Sequence, residues 1–263
     1  MSVRPERVDK RETSALAGLR VLITGDGTGI GAVTAAELAS AGALVGVLDR
    51  DGLAARRMAE MLGNHRAIAI ERDVVDPDAA EAAVEALVSR WGRIDALVNN
   101  AGTWDHDPLL DLTPQRWRHV LDVNLMAPIA FSNAAVRRMP SGGSVVNVSS
   151  VLGQVSAPSR GPYCVSKSAL ISLTKVQAIE WAERGIRVNA IAPGYIMNTT
   201  TAAMAAAGSF DMAAINRRTP MGRFGSEQDV ANGIAYLLDP VRAAYVTGHV
   251  LEVNGGWTAY GFV

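Results

Sequence analysis

The chain has 263 residues, 49% of them hydrophobic, enough to bury one large core. Its 25 Lys and Arg against 26 Asp and Glu leave a net charge of −1, which gives no electrostatic reason to bind nucleic acid or an anionic membrane. One cysteine, Cys164, excludes an intrachain disulfide and a cysteine metal cluster.

Residues 1–17 read as a polar arm with no apolar leader segment, ahead of a single domain over 18–263. No apolar run is long enough to span a bilayer, so the reducing cytoplasm is the expected location. Seven short β-branched runs follow in order: "LRVLITG" (19–25), "ALVGVLD" (43–49), "RAIAIERD" (66–73), "DALVNNAG" (95–102), "GSVVNVSS" (143–150), "IRVNAIAPG" (186–194) and "HVLEVNGG" (249–256). Helical spacing fills the gaps, for instance at 32–42 and at 77–92, where Pro77 opens and Gly92 closes the pattern. Apolar strands alternating with helices predict an α/β fold, a doubly wound parallel sheet of about seven strands with helices on both faces. A small-residue run, "TTTAAMAAAG" (199–208), lies in a long connection suited to a lid.

The first strand runs into "TGDGTGIG" (24–31). Gly25, Gly27, Gly29 and Gly31, with Thr28 and Ile30 between and among them, form a strand-to-helix turn. Such a turn brings backbone N–H groups and a helix N-terminus to a diphosphate. Asp49 ends the second strand, where a carboxylate accepts ribose hydroxyls and repels a 2′-phosphate; Arg50 follows it. Asp73 and Val74, at the end of the third strand, are placed for an adenine edge. Asp26 is the anomaly, a negative charge in an anion cradle. Two positions are expected for it: beside Asp49 at the adenosine ribose, or turned to solvent.

These motifs, in this order, resemble the short-chain dehydrogenase/reductase family over about residues 18–257. "TGDGTGIG" is similar to its TGxxxGxG motif, "YCVSK" (163–167) to YxxxK, and "NNAG" (99–102), "VNVSS" (146–150), "PG" (193–194) and "VTGHVLEVNGG" to further family stretches. The resemblance implies a Rossmann-type sheet, a nicotinamide cofactor, and hydride transfer at a carbonyl or alcohol carbon. It places Asn99, Asn100, Ala101 and Gly102 against the cofactor, with Pro193, Gly194 and Ile196 on the nicotinamide side. It makes Ser150, Tyr163, Lys167 and Asn124 the catalytic set, and implies a homotetramer packed through helices near 114–138 and 162–184. The sequence departs from the pattern at Asp26, usually small and neutral, at Asn198, often threonine, and at Asn254, usually aspartate.

The residues carry their own reasons. A free phenol has a pKa of about 10, too high for a base near neutrality, and an adjacent cation favours the phenolate. Tyr163 and Lys167 stand at i and i+4, on one helix face. Lys167 also suits the nicotinamide ribose. Ser150 lies 13 residues before Tyr163, and strand alternation turns Ser149 to the other face. Ser166 and Ser168 read as ordinary helix residues. In "DVNLMAP" (122–128) the helical donor to the Asn124 carbonyl would be residue 128, a proline with no N–H. A buried carbonyl needs a partner, so a water leading on to Lys167 is expected. The four histidines are scattered and propose no metal; His106 is a substrate-contact candidate.

The expected reaction is hydride transfer between NAD and a small-molecule secondary alcohol or ketone. The candidate substrate lining is Trp104, Gln154, Val155, Arg160, Tyr195, Met197, Met204, Phe210 and Met212. An NADP-dependent 3-oxoacyl reductase is an alternative, which Arg50 keeps open. A cofactor-sensing protein without turnover is another, disfavoured by the presence of the serine, tyrosine and lysine.

Overall fold

The computed structural model describes residues 14–206, 208 and 211–261. Most of the expected arm, residues 1–13, lies outside them. Ser14 to Ala17 form a turn that delivers Leu16 into the core, so the domain begins before residue 18.

The seven expected strands form one parallel sheet: β1 (Arg20–Thr24), β2 (Leu44–Asp49), β3 (Ala67–Glu71), β4 (Ala96–Asn99), β5 (Ser144–Val148), β6 (Arg187–Pro193) and β9 (Val250–Val253). Their spatial order is β3-β2-β1-β4-β5-β6-β9. The helices are α1 (Gly29–Ser40), α2 (Gly52–Leu62), α3 (Ala79–Trp91), α4 (Pro114–Leu121), α5 (Ala127–Arg138), α6 (Gly161–Trp181), α7 (Thr199–Ala206), α8 (Met212–Arg218) and α9 (Glu227–Leu238). Local signals set several of these bounds. Asp51 caps α2 by accepting from the amides of Leu53 and Ala54, and Gly92 closes α3 in the left-handed region at φ 82°.

Both sheet faces are buried, as continuous apolar strands require. One face holds Val21, Ile23, Val45 and Val47 with Leu38 of α1 and Ile234 of α9. The other holds Leu22, Leu48 and Leu97 with Leu87 of α3 and Phe131 of α5. A polar chain crosses this second core. The Asn99 amide donates to Ser132 Oγ at 2.9 Å and to Asn147 Oδ1 at 2.8 Å, and the Asn147 amide donates to Thr174 and Gln177. Asn99 and Asn147 face each other across β4 and β5. The family resemblance set Asn99 against the cofactor; its side chain is instead 3% exposed within this chain.

The strand order reverses between β1 and β4, where a doubly wound sheet opens a crevice at its C-terminal edge. The glycine loop and residues 99–102 both leave the sheet there. The long connection after β6 is not plain loop: Ile196–Met197 (β7) pairs with Gly225–Ser226 (β8), and the small-residue run forms α7.

Candidate active site

The glycine loop is shaped by what it touches. Gly25 has φ +66°, and a Cβ there would lie 2.8 Å from the Ala101 Cα. At Gly27 a Cβ would lie 2.8 Å from Asp49 Oδ2, the atom that accepts the Gly27 N–H at 2.9 Å. The two crevice loops are pinned together. Asn100 donates to the carbonyls of Thr24 and Gly25, and Thr24 Oγ1 accepts from the amides of Asn100 and Ala101. Thr24 as a hub and Asn100 as a strut were not foreseen; an amide side chain beside a glycine turn was the available signal.

Asp49 accepts from Gly27 and Asp51, one backbone amide per oxygen. A carboxylate has about four lone-pair sites, so capacity for ribose hydroxyls remains. Arg50 beside it is exposed. Asp73 spends one oxygen on the amide of Val75, closing a turn, while Val74 packs toward the core.

Asp26 is a neighbour of Asp49, but it is turned neither to the ribose nor to solvent. It is 0% exposed, with both carboxylate oxygens lacking a hydrogen-bond partner among the described residues. Burial, then the neighbouring Asp49 charge, holds its pKa well above the usual carboxylate range; its own amide and that of Leu48 offset this only in part. A group sealed from the surface cannot reach the ribose.

The other half of the site comes from β5, α6 and the turn between α4 and α5. Ser150 starts a turn by accepting from the Leu152 amide, and its hydroxyl is close enough to the Tyr163 phenol to favour the phenolate. Ser149 turns away and donates to the Lys167 carbonyl at 2.9 Å. The Lys167 Nζ donates to the Val148 carbonyl at 2.7 Å and lies 5.7 Å from the Tyr163 ring centre. Burial lowers the Lys167 pKa to about 8. Burial also raises Tyr163, against the pull of Ser150 and then of Arg160. Lys167 is the cation over the Tyr163 ring, and Arg160 adds a second positive charge near the phenol.

Asp122–Met126 form a π-helical turn in which the Ala127 amide reaches back to the Asp122 carbonyl. Asn124 is fully buried there. Its side chain accepts from the Thr103 amide and donates to the Thr103 carbonyl and to Ser166 Oγ, so Ser166 is no ordinary helix residue. Ser168 also has a task, donating to the Gly153 carbonyl.

A cavity of about 580 Å³ joins these parts. Ile30, Asn100, Gly102, Ser150, Tyr163, Lys167, Pro193, Gly194 and Ile196 line it, with Trp104, His106, Arg160 and Tyr195 from the substrate expectation. Gln154, Val155, Met197 and Met212 do not line it. Phe210 lies outside the described residues, as does the side chain of Met204. Asn198 lines the cavity and accepts from the Thr201 amide, starting α7. Asn254 accepts from the Gly256 amide and donates to Thr258. Among the described residues no three His, Cys, Asp or Glu side chains gather as a metal site, and no helix is long and apolar enough to cross a membrane.

Comparison with known proteins decides the lineage. Residues 25–258 match a family model described as enoyl-(acyl carrier protein) reductase. Cis-4-hydroxycyclohexanecarboxylate dehydrogenase of Sinomonas cyclohexanicum is 37% identical over 93% of this chain and 98% of its own. A short-chain type dehydrogenase/reductase from Mycobacterium marinum superposes with TM-score 0.87 at 31% identity, over 94% of this chain and 98% of the other. The chain belongs to the short-chain dehydrogenase/reductase family. A gluconate 5-dehydrogenase from Burkholderia cenocepacia J2315, in complex with NADP and tartrate, also superposes with TM-score 0.87, at 32% identity over 94% and 99% of the two chains. As a short-chain dehydrogenase/reductase, the protein is an oxidoreductase enzyme that uses a nicotinamide cofactor. The glycine turn, the spare lone pairs of Asp49 and the open cavity beside Tyr163 fit that group.

Proposed function

We propose that the protein transfers a hydride between NAD(H) and a secondary alcohol or ketone. The observation that carries the reading is Tyr163, sharing one cavity with Ser150, with Lys167 over its ring and with the glycine-loop helix. Gly25 to Gly31 and Asn100 to Gly102 cradle the diphosphate side, and Asp49 holds the adenosine ribose with Asp73 and Val74 beyond it. Pro193, Gly194 and Ile196 flank the nicotinamide. The nicotinamide, when bound there, would supply the hydride acceptor for the carbinol carbon, taking the alcohol to a ketone. In that direction Tyr163 accepts the hydroxyl proton and Ser150 orients the substrate oxygen. Lys167 keeps two ammonium N–H groups beyond the one given to Val148; one suits the nicotinamide ribose. The other suits a water held by the Asn124 carbonyl, which Pro128 cannot serve.

Asp49 supports NAD over NADP, because it would repel a 2′-phosphate. Exposed apolar side chains on α6, Val165, Val176 and Ile179, support a homotetramer packed through that helix; a monomer in sedimentation equilibrium would exclude it. The cytoplasm remains the proposed location. A panel of secondary alcohols and ketones, followed by nicotinamide absorbance with each cofactor, tests the function. Turnover of none of them with either cofactor would refute it.

A further inference from the structure

Arg160 is the charge in the cavity that the machinery above does not use. It stands at the cap position of α6, where its carbonyl accepts from the Cys164 amide, and its side chain makes no capping bond. The guanidinium is half-buried and lines the cavity beside Tyr163 and Tyr195. Among the described residues it has no hydrogen bond and no carboxylate partner, whereas other arginines do. Arg116 pairs with Asp105 and Asp107, and Arg217 with Asp211. Burial pulls its ionisation down, with Tyr195 and Tyr163 the nearest ionisable groups acting in the opposite sense. A guanidinium nevertheless stays charged at any working pH.

A cation taken partly out of water is costly unless paired. The cavity offers Arg160 no anion of its own. Asp211, the carboxylate on its lining, is committed to the Ala213 and Ala214 amides as the cap of α8, and to Arg217. Lys167, the other lining cation, is committed to Val148 and, in the reading above, to the nicotinamide ribose and the relay water. One unpaired, planar, five-donor cation therefore faces the space above Tyr163. Its fork matches the two oxygens of a carboxylate. A phosphate dianion would call for a second free cation, and none lines the cavity among the described residues. Arg160 precedes Tyr163 by three residues at the start of α6, which sets the fork and the phenol within one small substrate's length.

We propose that Arg160 is the substrate-anchoring residue and that the substrate is a carboxylate-bearing secondary alcohol or its oxo acid. This rests on the hydride-transfer reading above and adds the charge of the substrate to it. The test compares 4-hydroxycyclohexanecarboxylate with its carboxamide, under NAD, in wild type, Arg160→Gln and Arg160→Lys. The wild type should favour the acid at least about tenfold in kcat/KM. Arg160→Gln should bring the acid-to-amide ratio to near one, and Arg160→Lys should restore part of it. A wild-type ratio near one, or a ratio unmoved by Arg160→Gln, overturns the proposal. So does turnover of cyclohexanol with neither test compound accepted, an outcome that leaves the hydride-transfer reading standing. If no alcohol is oxidised at all, calorimetry of cyclohexanecarboxylate against cyclohexanecarboxamide on the NAD-saturated protein still decides. A preference for the acid lost in Arg160→Gln supports the anchor, and equal binding or no binding of either overturns it.

Discussion

A carboxyl sealed from water, beside another carboxylate and with too little donor support to offset either, favours its protonated form. Asp26 is in that state. Its native pKa lies above the ordinary value of 3.8, so between the two the folded chain holds a proton that the unfolded chain has lost. Its contribution is fully present below 3.8 and is lost as pH rises through the native value. Asp26→Asn, which cannot ionise, should match the wild type near pH 4 and melt higher at pH 8. A gain of each kcal/mol would appear as roughly 2–4 °C. Equal melting temperatures at both pH values would exclude the ionisation cost. Tyr163 makes a second prediction at this scale. Tyr163→Phe should keep the fold and NAD binding yet lose roughly 10²–10⁴-fold in turnover. Burial raises the phenol above 10.0 in the free protein, so oxidation should accelerate into the alkaline range. A flat profile, with chemistry rate-limiting, would remove Tyr163 as the base.

The elements differ in how plainly the sequence announces them. All seven sheet strands lie inside β-branched runs, and the central ones, buried on both faces, have no room for polar alternation. The π-helical turn at 122–126 left no such mark, since one extra residue per turn barely changes apolar spacing. Pro128 did mark it, through the donor it withholds. Pro128→Ala would return that donor and draw the Asn124 carbonyl back into an α-helical bond. Turnover should then fall about tenfold or more, an estimate taken from a disturbed proton-transfer path, with NAD affinity little changed. Undiminished kcat would argue against the Asn124 relay. Tyr163, Lys167 and Ser150 were legible because helix and strand periods fix their facing. Asn99 was misread for a related reason: its motif neighbours sit at the crevice, but strand alternation sends its own side chain into the core. Arg160 needed the cavity to be seen, since only three-dimensional packing shows that no carboxylate answers it.

Across the whole molecule, cofactor choice is the property most exposed to test. Asp49 is anchored by two backbone amides, so its charge cannot swing away from an approaching phosphate. The wild type should therefore prefer NAD strongly in kcat/KM. Asp49→Ala should narrow the gap far more than Asp73→Ala, because Asp73 is spent on its own turn. Comparable kcat/KM for both cofactors in the wild type would defeat the assignment. The single-sheet architecture was readable from seven runs without a polar linker. The helical form of residues 199–206 was not, because a run of alanines and threonines fits a helix or a loop equally well.

The strand order also sets a timetable for synthesis. The chain lays down β1, then β2 and β3 outward on one side, and only then returns to the bare edge of β1 with β4. At about 5–20 residues per second, the span from residue 71 to residue 99 leaves that edge uncovered for roughly one to six seconds. It carries "RVLIT", an apolar run with unpaired backbone groups. A nascent chain paused in this window presents the ribosome's surroundings with a sticky half-sheet. Chaperone dependence should thus concentrate there, well before any catalytic side chain has been made.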